Sequence, residues 1–171
     1  ASESSGPGEP EIFASLQGEG PSAGKPTAFI RLSRCNLACT WCDTAYTWRF
    51  EGDNRPHRDG LDYDRAANQV TLDEADVAAR IAAFGRRRLV VTGGEPLLQT
   101  PALVRMLALL PGIHVEVETN GTIAPPAALD ALVHQWNVAR LAQAVATAEC
   151  DAPGRLRFLA SIGGQPADRR F

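Results

Sequence analysis

Apolar residues in this chain come in short unbroken runs separated by stretches with helical spacing, and that alternation sets the first expectation. Thr27-Ala28-Phe29-Ile30-Arg31-Leu32 is apolar and partly β-branched, and reads as a buried strand interrupted by one charge, Arg31. Leu89-Val90-Val91-Thr92 has no polar alternation, as a strand buried on both faces does not. Ile113-His114-Val115-Glu116-Val117-Glu118-Thr119 alternates, which puts Glu116 and Glu118 on one face, where buried carboxylates need partners. Gln135-Trp136-Asn137-Val138 reads as a fourth strand.

Between the strands the period changes to that of helices. Thr71-Leu72-Asp73-Glu74 has the form of a capping box, followed by Val77, Ile81 and Phe84 at helical spacing. Gly85-Arg86-Arg87-Arg88 ends this helix, its arginines compensating the helix dipole. Thr100 caps a second helix with Pro101 at its first position and Leu103, Met106, Leu107 and Leu110 as the buried stripe, Met106 being core filler. Pro125-Pro126 opens a third, carrying Leu129, Leu132 and Val133. Beyond Val138, Leu141, Ala142, Val145 and Ala148 suit a further helix and Leu156-Arg157-Phe158-Leu159 a short one. Strand–helix alternation of this kind implies an α/β fold with a parallel sheet and right-handed crossovers.

Two polar stretches stand outside the alternation. Ala1 to Pro10 is rich in Ser, Gly, Pro and Glu and reads as a disordered lead-in, with residues 11–171 as one domain. Ala45 to Gln69 scatters Trp48, Phe50, Gly52, Pro56, His57 and Gly60 among charges, which predicts a long excursion or lid, with His57 solvated. In Leu16-Gln17-Gly18-Glu19-Gly20-Pro21, two glycines permit a tight turn or close approach to a ligand.

The 171 residues, 44% hydrophobic and 22% charged, suit a single globular domain. A net charge of −3 provides no basic field, so nucleic-acid binding is not expected and small molecules are the expected ligands. No basic and apolar leader pattern and no run of membrane-spanning length is present, so the reading is a cytoplasmic protein with no membrane contact. Cysteines stay reduced in that compartment, which favours metal binding over disulfides.

Three of the four cysteines, Cys35, Cys39 and Cys42, fall within eight residues at CxxxCxxC spacing. A [4Fe-4S] cube takes one ligand per iron, so three thiolates leave one iron open to a small molecule. The alternative is a zinc knuckle completed by His57, although structural zinc sites usually pair ligands as two separated short motifs. Cys150 stands alone and reads as a small buried residue. Gly93-Gly94-Glu95-Pro96 follows the second strand, where glycines let backbone groups meet a ligand at the carboxyl ends of a parallel sheet.

With Trp41 just before the last cysteine, this loop resembles the signature of the radical S-adenosylmethionine (SAM) enzymes, and Thr-Gly-Gly-Glu-Pro resembles their SAM-binding element. The resemblance implies a partial (β/α) barrel with outer helices, a [4Fe-4S] cluster at the carboxyl ends of the strands, and SAM cleaved to a 5′-deoxyadenosyl radical. The flanks Ile-Phe-Ala-Ser-Leu-Gln-Gly-Glu-Gly-Pro, Phe-Ile-Arg-Leu-Ser-Arg-Cys-Asn-Leu, Trp-Cys-Asp-Thr-Ala-Tyr-Thr-Trp and Val-Glu-Thr-Asn-Gly-Thr, together with Val-Thr-Gly-Gly-Glu-Pro-Leu-Leu-Gln, look like the 7-carboxy-7-deazaguanine synthases over about Glu11 to Val138. That family contracts 6-carboxytetrahydropterin to 7-carboxy-7-deazaguanine with loss of ammonia, on the route to queuosine and other 7-deazapurines, using SAM catalytically and Mg²⁺.

Position by position, the resemblance implies that Cys35, Cys39 and Cys42 hold the cluster and that Trp41, Cys42, Asp43, Gly94 and Glu95 line the SAM site. Leu16, Gln17, Gly18, Arg31 and Thr92 would hold the pterin, and Thr44 would give its hydroxyl to Mg²⁺. A homodimer and an electron donor such as flavodoxin or ferredoxin are implied as partners. Two departures stand beside this: Val138-Ala139-Arg140-Leu141 replaces the family's Ser-Pro-Lys-Leu, and the family continues past a Phe-Lys-Phe-like strand while this sequence stops at Phe171. They motivate the alternatives of an inactive truncated paralogue, or a non-catalytic metal-binding module. A glycyl-radical-activating type of radical SAM enzyme is a third reading.

Overall fold

In the computed structural model, which describes residues 9–139, the unalternating run becomes the middle of a five-stranded sheet of order β1-β2-β3-β4-β5. Its strands are β1 (Ile12–Leu16), β2 (Pro26–Leu32), β3 (Arg88–Gly93), β4 (His114–Thr119) and β5 (Gln135–Val138). β2 to β5 run parallel, with Arg31 opposite Thr92, Val91 opposite Val117 and Glu118 opposite Asn137. The helices are α1 (Arg65–Asn68), α2 (Glu74–Ala83), α3 (Thr100–Ala108) and α4 (Ala127–Asp130).

The four strands read from the sequence run parallel as expected, and a fifth, β1, adds to their edge in the opposite direction and makes the sheet mixed. β1 pairs antiparallel to β2, Phe13 opposite Phe29 with rings stacked at 5.1 Å. The link from Leu16 to Pro26 is too short for a parallel crossover, which takes a dozen or more residues, so the chain doubles back as a hairpin. Gln17 N and Lys25 O close it at 3.0 Å.

One face of the sheet is the core. Ala28, Ile30, Leu89, Val91, Val115 and Val117 pack against Val77 and Ile81 of α2, Leu103, Met106 and Leu107 of α3, and Leu129 of α4. Met106 is buried core, as expected. The intervening residues Phe29, Arg31, Val90, Thr92, Glu116 and Glu118 lie on the opposite face by strand alternation. The site is built from that face and from the carboxyl ends of β2, β3 and β4, where parallel sheets place ligands.

Some local expectations shift. Asp73, not Thr71, sits at the N-cap of α2, and it makes no side-chain cap bond. Thr100 is the first residue of α3, with Gln99 at its N-cap, because Pro96–Gln99 already forms a tight turn of helix and the Thr100 hydroxyl donates to Leu97 O at 2.8 Å. Arg88 does not serve the α2 dipole: it opens β3, and its Nη1 donates to Glu116 Oε1 at 3.0 Å and Ser22 Oγ at 3.2 Å. The elements expected beyond Val138 and most of the lead-in lie outside the described residues, but Glu9 and Pro10 are inside, and Pro10 O accepts from Ile12 N. Among the described residues no helix is long and apolar enough to cross a membrane.

The Glu116 carboxylate, fully buried, is met by Arg88 and by the side-chain amides of Gln17 and Gln135 at 3.4 Å each. Burial pushes its pKa up, but hydrogen bonds from Ser22, Gln17 and Arg88 outweigh this and hold it below the ordinary value. A depressed carboxylate stabilises the fold above its unfolded pKa and loses that contribution as pH falls through the folded value. Arg88→Ala should therefore cost about 3 kcal/mol at neutral pH, near the low end for a broken buried pair because the Arg88 side chain is 25% exposed. Urea unfolding at pH 7 and in acid should show the difference between variant and parent shrinking as pH falls.

Candidate active site

The cluster loop leaves β2 at Leu32 and is fixed by the backbone that leaves β3 beside it. Gly94 N donates to Leu32 O at 3.0 Å and Glu95 N to Arg34 O at 2.8 Å, carrying the parallel pairing past the strand ends. That approach demands glycine twice. A Cβ on Gly93 would stand 2.1 Å from Leu32 O, and one on Gly94 2.2 Å from Arg34 O. Gly93 also has φ +139, where L side chains are strained.

Glu95 sits fully buried behind the loop. Its carboxylate accepts from Leu97 N at 3.0 Å, from the Thr119 hydroxyl at 2.9 and 3.0 Å, and from Asn120 N at 2.9 Å. The side chain is thus a brace between the β3 and β4 ends, and any part it has in a SAM site falls to its main chain. Asn120 extends the brace, since its Nδ2 donates to Asn36 Oδ1 at 2.9 Å and reaches Cys35 Sγ at 3.8 Å.

Cys35, Cys39 and Cys42 are all partly buried and unpaired. Burial first, then the Cys35 and Cys42 thiols, push Cys39 up to about 11, and burial likewise raises Cys35. The three sulfurs therefore lie within electrostatic reach of one another, although among the described residues no three of the His, Cys, Asp and Glu side chains are gathered closely enough to hold a single metal ion. N–H donors already face two of them: Leu37 N reaches Cys35 Sγ at 3.4 Å and Trp48 Nε1 reaches Cys42 Sγ at 3.4 Å. Such bonds to sulfur suit thiolates bound to iron, so the donor set fits a cluster.

His57 corrects the expectation of a solvated residue, because its side chain is 1% exposed. Its Nε2 donates to Cys42 O at 2.8 Å, and its Nδ1 lies 2.6 Å from Asp59 Oδ1. With both ring nitrogens occupied it is not a free ligand for a zinc knuckle. The segment around it is not a loose lid either: Thr47, Trp48, Arg49 and Phe50 are buried, and Arg34 N, Ser33 Oγ and Arg58 N tie the segment to the cluster loop.

The other predicted residues divide. Trp41 and Thr44 are partly buried and Asp43 is exposed beside the last cysteine, with the Thr44 hydroxyl 3.6 Å from Cys42 Sγ. Gln17 is buried, its Oε1 accepting from Gly18 N at 2.8 Å and its Nε2 donating to Glu116 and to Glu118 at 3.3 Å. Leu16 and Gly18 are exposed on the turn around it. Burial, then Glu118 and Asp43, raise the Glu19 pKa, so carboxylates of the turn, the β4 end and the cluster loop act on one another. The Asn137 side chain lies against Gly20 of the turn, and its Nδ2 donor is buried without a hydrogen-bond partner among the described residues.

Arg31 and Thr92 are register partners, but Arg31 Nε is engaged by Glu11 Oε1 at 3.3 Å, and the Tyr46 hydroxyl holds Glu11 at 3.0 and 3.1 Å. A cavity of about 720 Å³ lies between the end of β2 and helices α1 to α3; Glu11, Arg31 and Tyr46 line it together with Val77, Leu103 and Met106 of the core side, and among the described residues no cysteine lines it, nor does Gln17 or Thr92. Sequence reasoning missed Trp48, His57, Glu11 and Asn120. Trp48 had a signal, an aromatic six residues after a cysteine in an otherwise polar stretch, whereas the other three depend on long-range contacts.

Residues 29–170 match the family model described as the Radical SAM superfamily, and the chain belongs to that superfamily, whose members use a [4Fe-4S] cluster and SAM. Curated relatives named 7-carboxy-7-deazaguanine synthase include one from Hyperthermus butylicus, 37% identical over 130 residues, covering 75% of this chain and 48% of that protein. Another, from Halobacterium salinarum, is 39% identical over 150 residues, covering 84% of this chain and 49% of the relative. The crystal structure of QueE from Escherichia coli aligns with a TM-score of 0.51 and 35% identity over 66% of this chain and 52% of that one. The chain spans about half the length of the curated relatives it matches.

Proposed function

We propose that the chain carries the catalytic centre of a 7-carboxy-7-deazaguanine synthase, a lyase that contracts 6-carboxytetrahydropterin with loss of ammonia. The observation that supports the reading is the three-cysteine loop at the carboxyl end of β2, tied to the end of β3 through Gly94 N–Leu32 O and Glu95 N–Arg34 O, beside a strand face bearing Arg31 and Thr92. The cluster and SAM supply a hydrogen-abstracting radical when bound. The remaining work falls to the protein: Arg31 offers a planar fork to the substrate carboxylate, the partnerless Asn137 Nδ2 orients the ring, and Gln17 holds the turn in place through Glu116 and Glu118.

Thr44 is assigned to Mg²⁺, a hard ion that takes few protein oxygens and keeps several waters. Thr44→Ala should leave cluster content and SAM cleavage within about twofold of the parent while weakening Mg²⁺-dependent turnover, because positioning is lost and radical formation is not. Loss of cluster together with unchanged Mg²⁺ dependence would return Thr44 to a structural role.

The overall test is an anaerobic assay of the reconstituted chain with reductant, SAM, Mg²⁺ and 6-carboxytetrahydropterin, followed by mass spectrometry. Deazaguanine product is expected. 5′-Deoxyadenosine without that product would assign another radical SAM reaction, such as glycyl-radical activation, and neither compound would favour a non-catalytic metal-binding chain.

A further inference from the structure

The segment from Ala45 to Tyr63 does more than cover the loop, because two of its side chains converge on a single cysteine. Trp48 is 5% exposed, and among the described residues its indole N–H has one acceptor, Cys42 Sγ at 3.4 Å. A buried indole N–H ordinarily finds a partner, and here that partner is a cluster ligand. The ring is held from two sides. The Arg55 guanidinium stacks 4.6 Å from its centroid, clamped in turn by Asp53 through Nε at 2.9 Å, and the His57 ring lies edge-on at 6.2 Å. His57 also fixes the main chain of the same cysteine through Cys42 O at 2.8 Å. Among the described residues Cys35 Sγ receives Leu37 N and a long contact from Asn120, and Cys39 Sγ has no donor from another residue, only its own backbone N–H.

We propose that Trp48, held in place by Arg55 and His57, tunes the reduction potential of the cluster through its hydrogen bond to Cys42. A donor on a coordinating thiolate favours the state with more negative charge, which is the reduced one, and so raises the potential. Trp48 is a positioning residue in this role, acting through Cys42 and not on substrate. The inference needs the cluster loop alone and holds whichever molecule the radical attacks.

The test is a redox titration of the full 171-residue chain, reconstituted anaerobically and reduced with titanium(III) citrate without SAM, followed by electron paramagnetic resonance. Trp48→Phe keeps the ring and removes the donor. The ratio of reduced to oxidised cluster at fixed potential should fall about three- to tenfold, the size of one neutral hydrogen bond, and tenfold corresponds to ~59 mV for one electron. His57→Gln, which retains an N–H donor, should titrate near the parent, and His57→Leu between the two. A fully loaded Trp48→Phe protein that titrates within about twofold of the parent would overturn the proposal, whatever its thermal stability. Should that variant fail to hold a cluster, electron-nuclear double resonance of the reduced parent decides. With tryptophan labelled by ¹⁵N at the indole nitrogen, a coupled ¹⁵N with an exchangeable proton that persists in Thr44→Ala is expected, which separates the indole from the Leu37 N–H on Cys35, and its absence also overturns the proposal.

Discussion

Gly94→Ala should give a chain that is destabilised and does not keep its iron. The added Cβ would stand 2.2 Å from Arg34 O, 2.7 Å from Arg34 C and 3.0 Å from Cys35 Cβ. Two of those atoms are backbone, and they belong to a residue already held at φ 82, outside the usual range for a side chain such as arginine. The Arg34 carbonyl also accepts Glu95 N at 2.8 Å, so relieving the clash breaks the link between the β3 end and the cluster loop. Overpacking of this kind costs about 3 kcal/mol where neighbours cannot yield. Urea unfolding of the metal-free chain and iron and sulfide analysis after reconstitution should both report the loss. Gly18→Ala is the control: a Cβ there meets nothing within 4 Å, and its stability should stay within about 0.5 kcal/mol of the parent. A Gly94→Ala chain with parental stability and full iron would mean that the two loops are not packed as described.

The contrast between those glycines marks what was legible in the sequence. Parallel β2, β3 and β4 were readable because their residues are apolar or alternate over a full strand, and the cysteine spacing is local by nature. β1 was not read as a strand, because Ile12-Phe13-Ala14-Ser15 is short and its strand character depends on pairing with Phe29 and Ile30. Arg88 and His57 were misread for a related reason. Charge and polarity in sequence point to solvent, but Arg88 spends its guanidinium on a buried carboxylate 28 positions away, and His57 spends its ring on the Cys42 carbonyl. Glu95 sits in a recognisable motif whose location was correctly read, and Leu97 N is a local donor to its carboxylate, while the other two donors, the Thr119 hydroxyl and Asn120 N, follow only from where the end of β4 folds back.

Cys39→Ala should separate cluster binding from folding more cleanly than any glycine change. Among the described residues the Cys39 sulfur accepts no hydrogen bond from another residue, and the side chain is only partly buried, so the metal-free variant should unfold within about 1 kcal/mol of the parent. Iron is another matter. With its sulfur gone, the loop offers only Cys35 and Cys42 to a cube that needs a ligand on each protein-bound iron, and iron content should fall to less than about a tenth of the parent, with SAM cleavage lost in proportion. The parent should also load iron better as pH rises, because the thiolate is the ligand form and Cys39 is pushed up to about 11 by burial and by its two neighbours. Measuring iron and sulfide after reconstitution at pH 7 and pH 9 should show the gain in the parent and none in Cys39→Ala. A Cys39→Ala chain that retains full iron and its brown absorption would remove this cysteine from the ligand set and, with it, the three-thiolate reading of the loop.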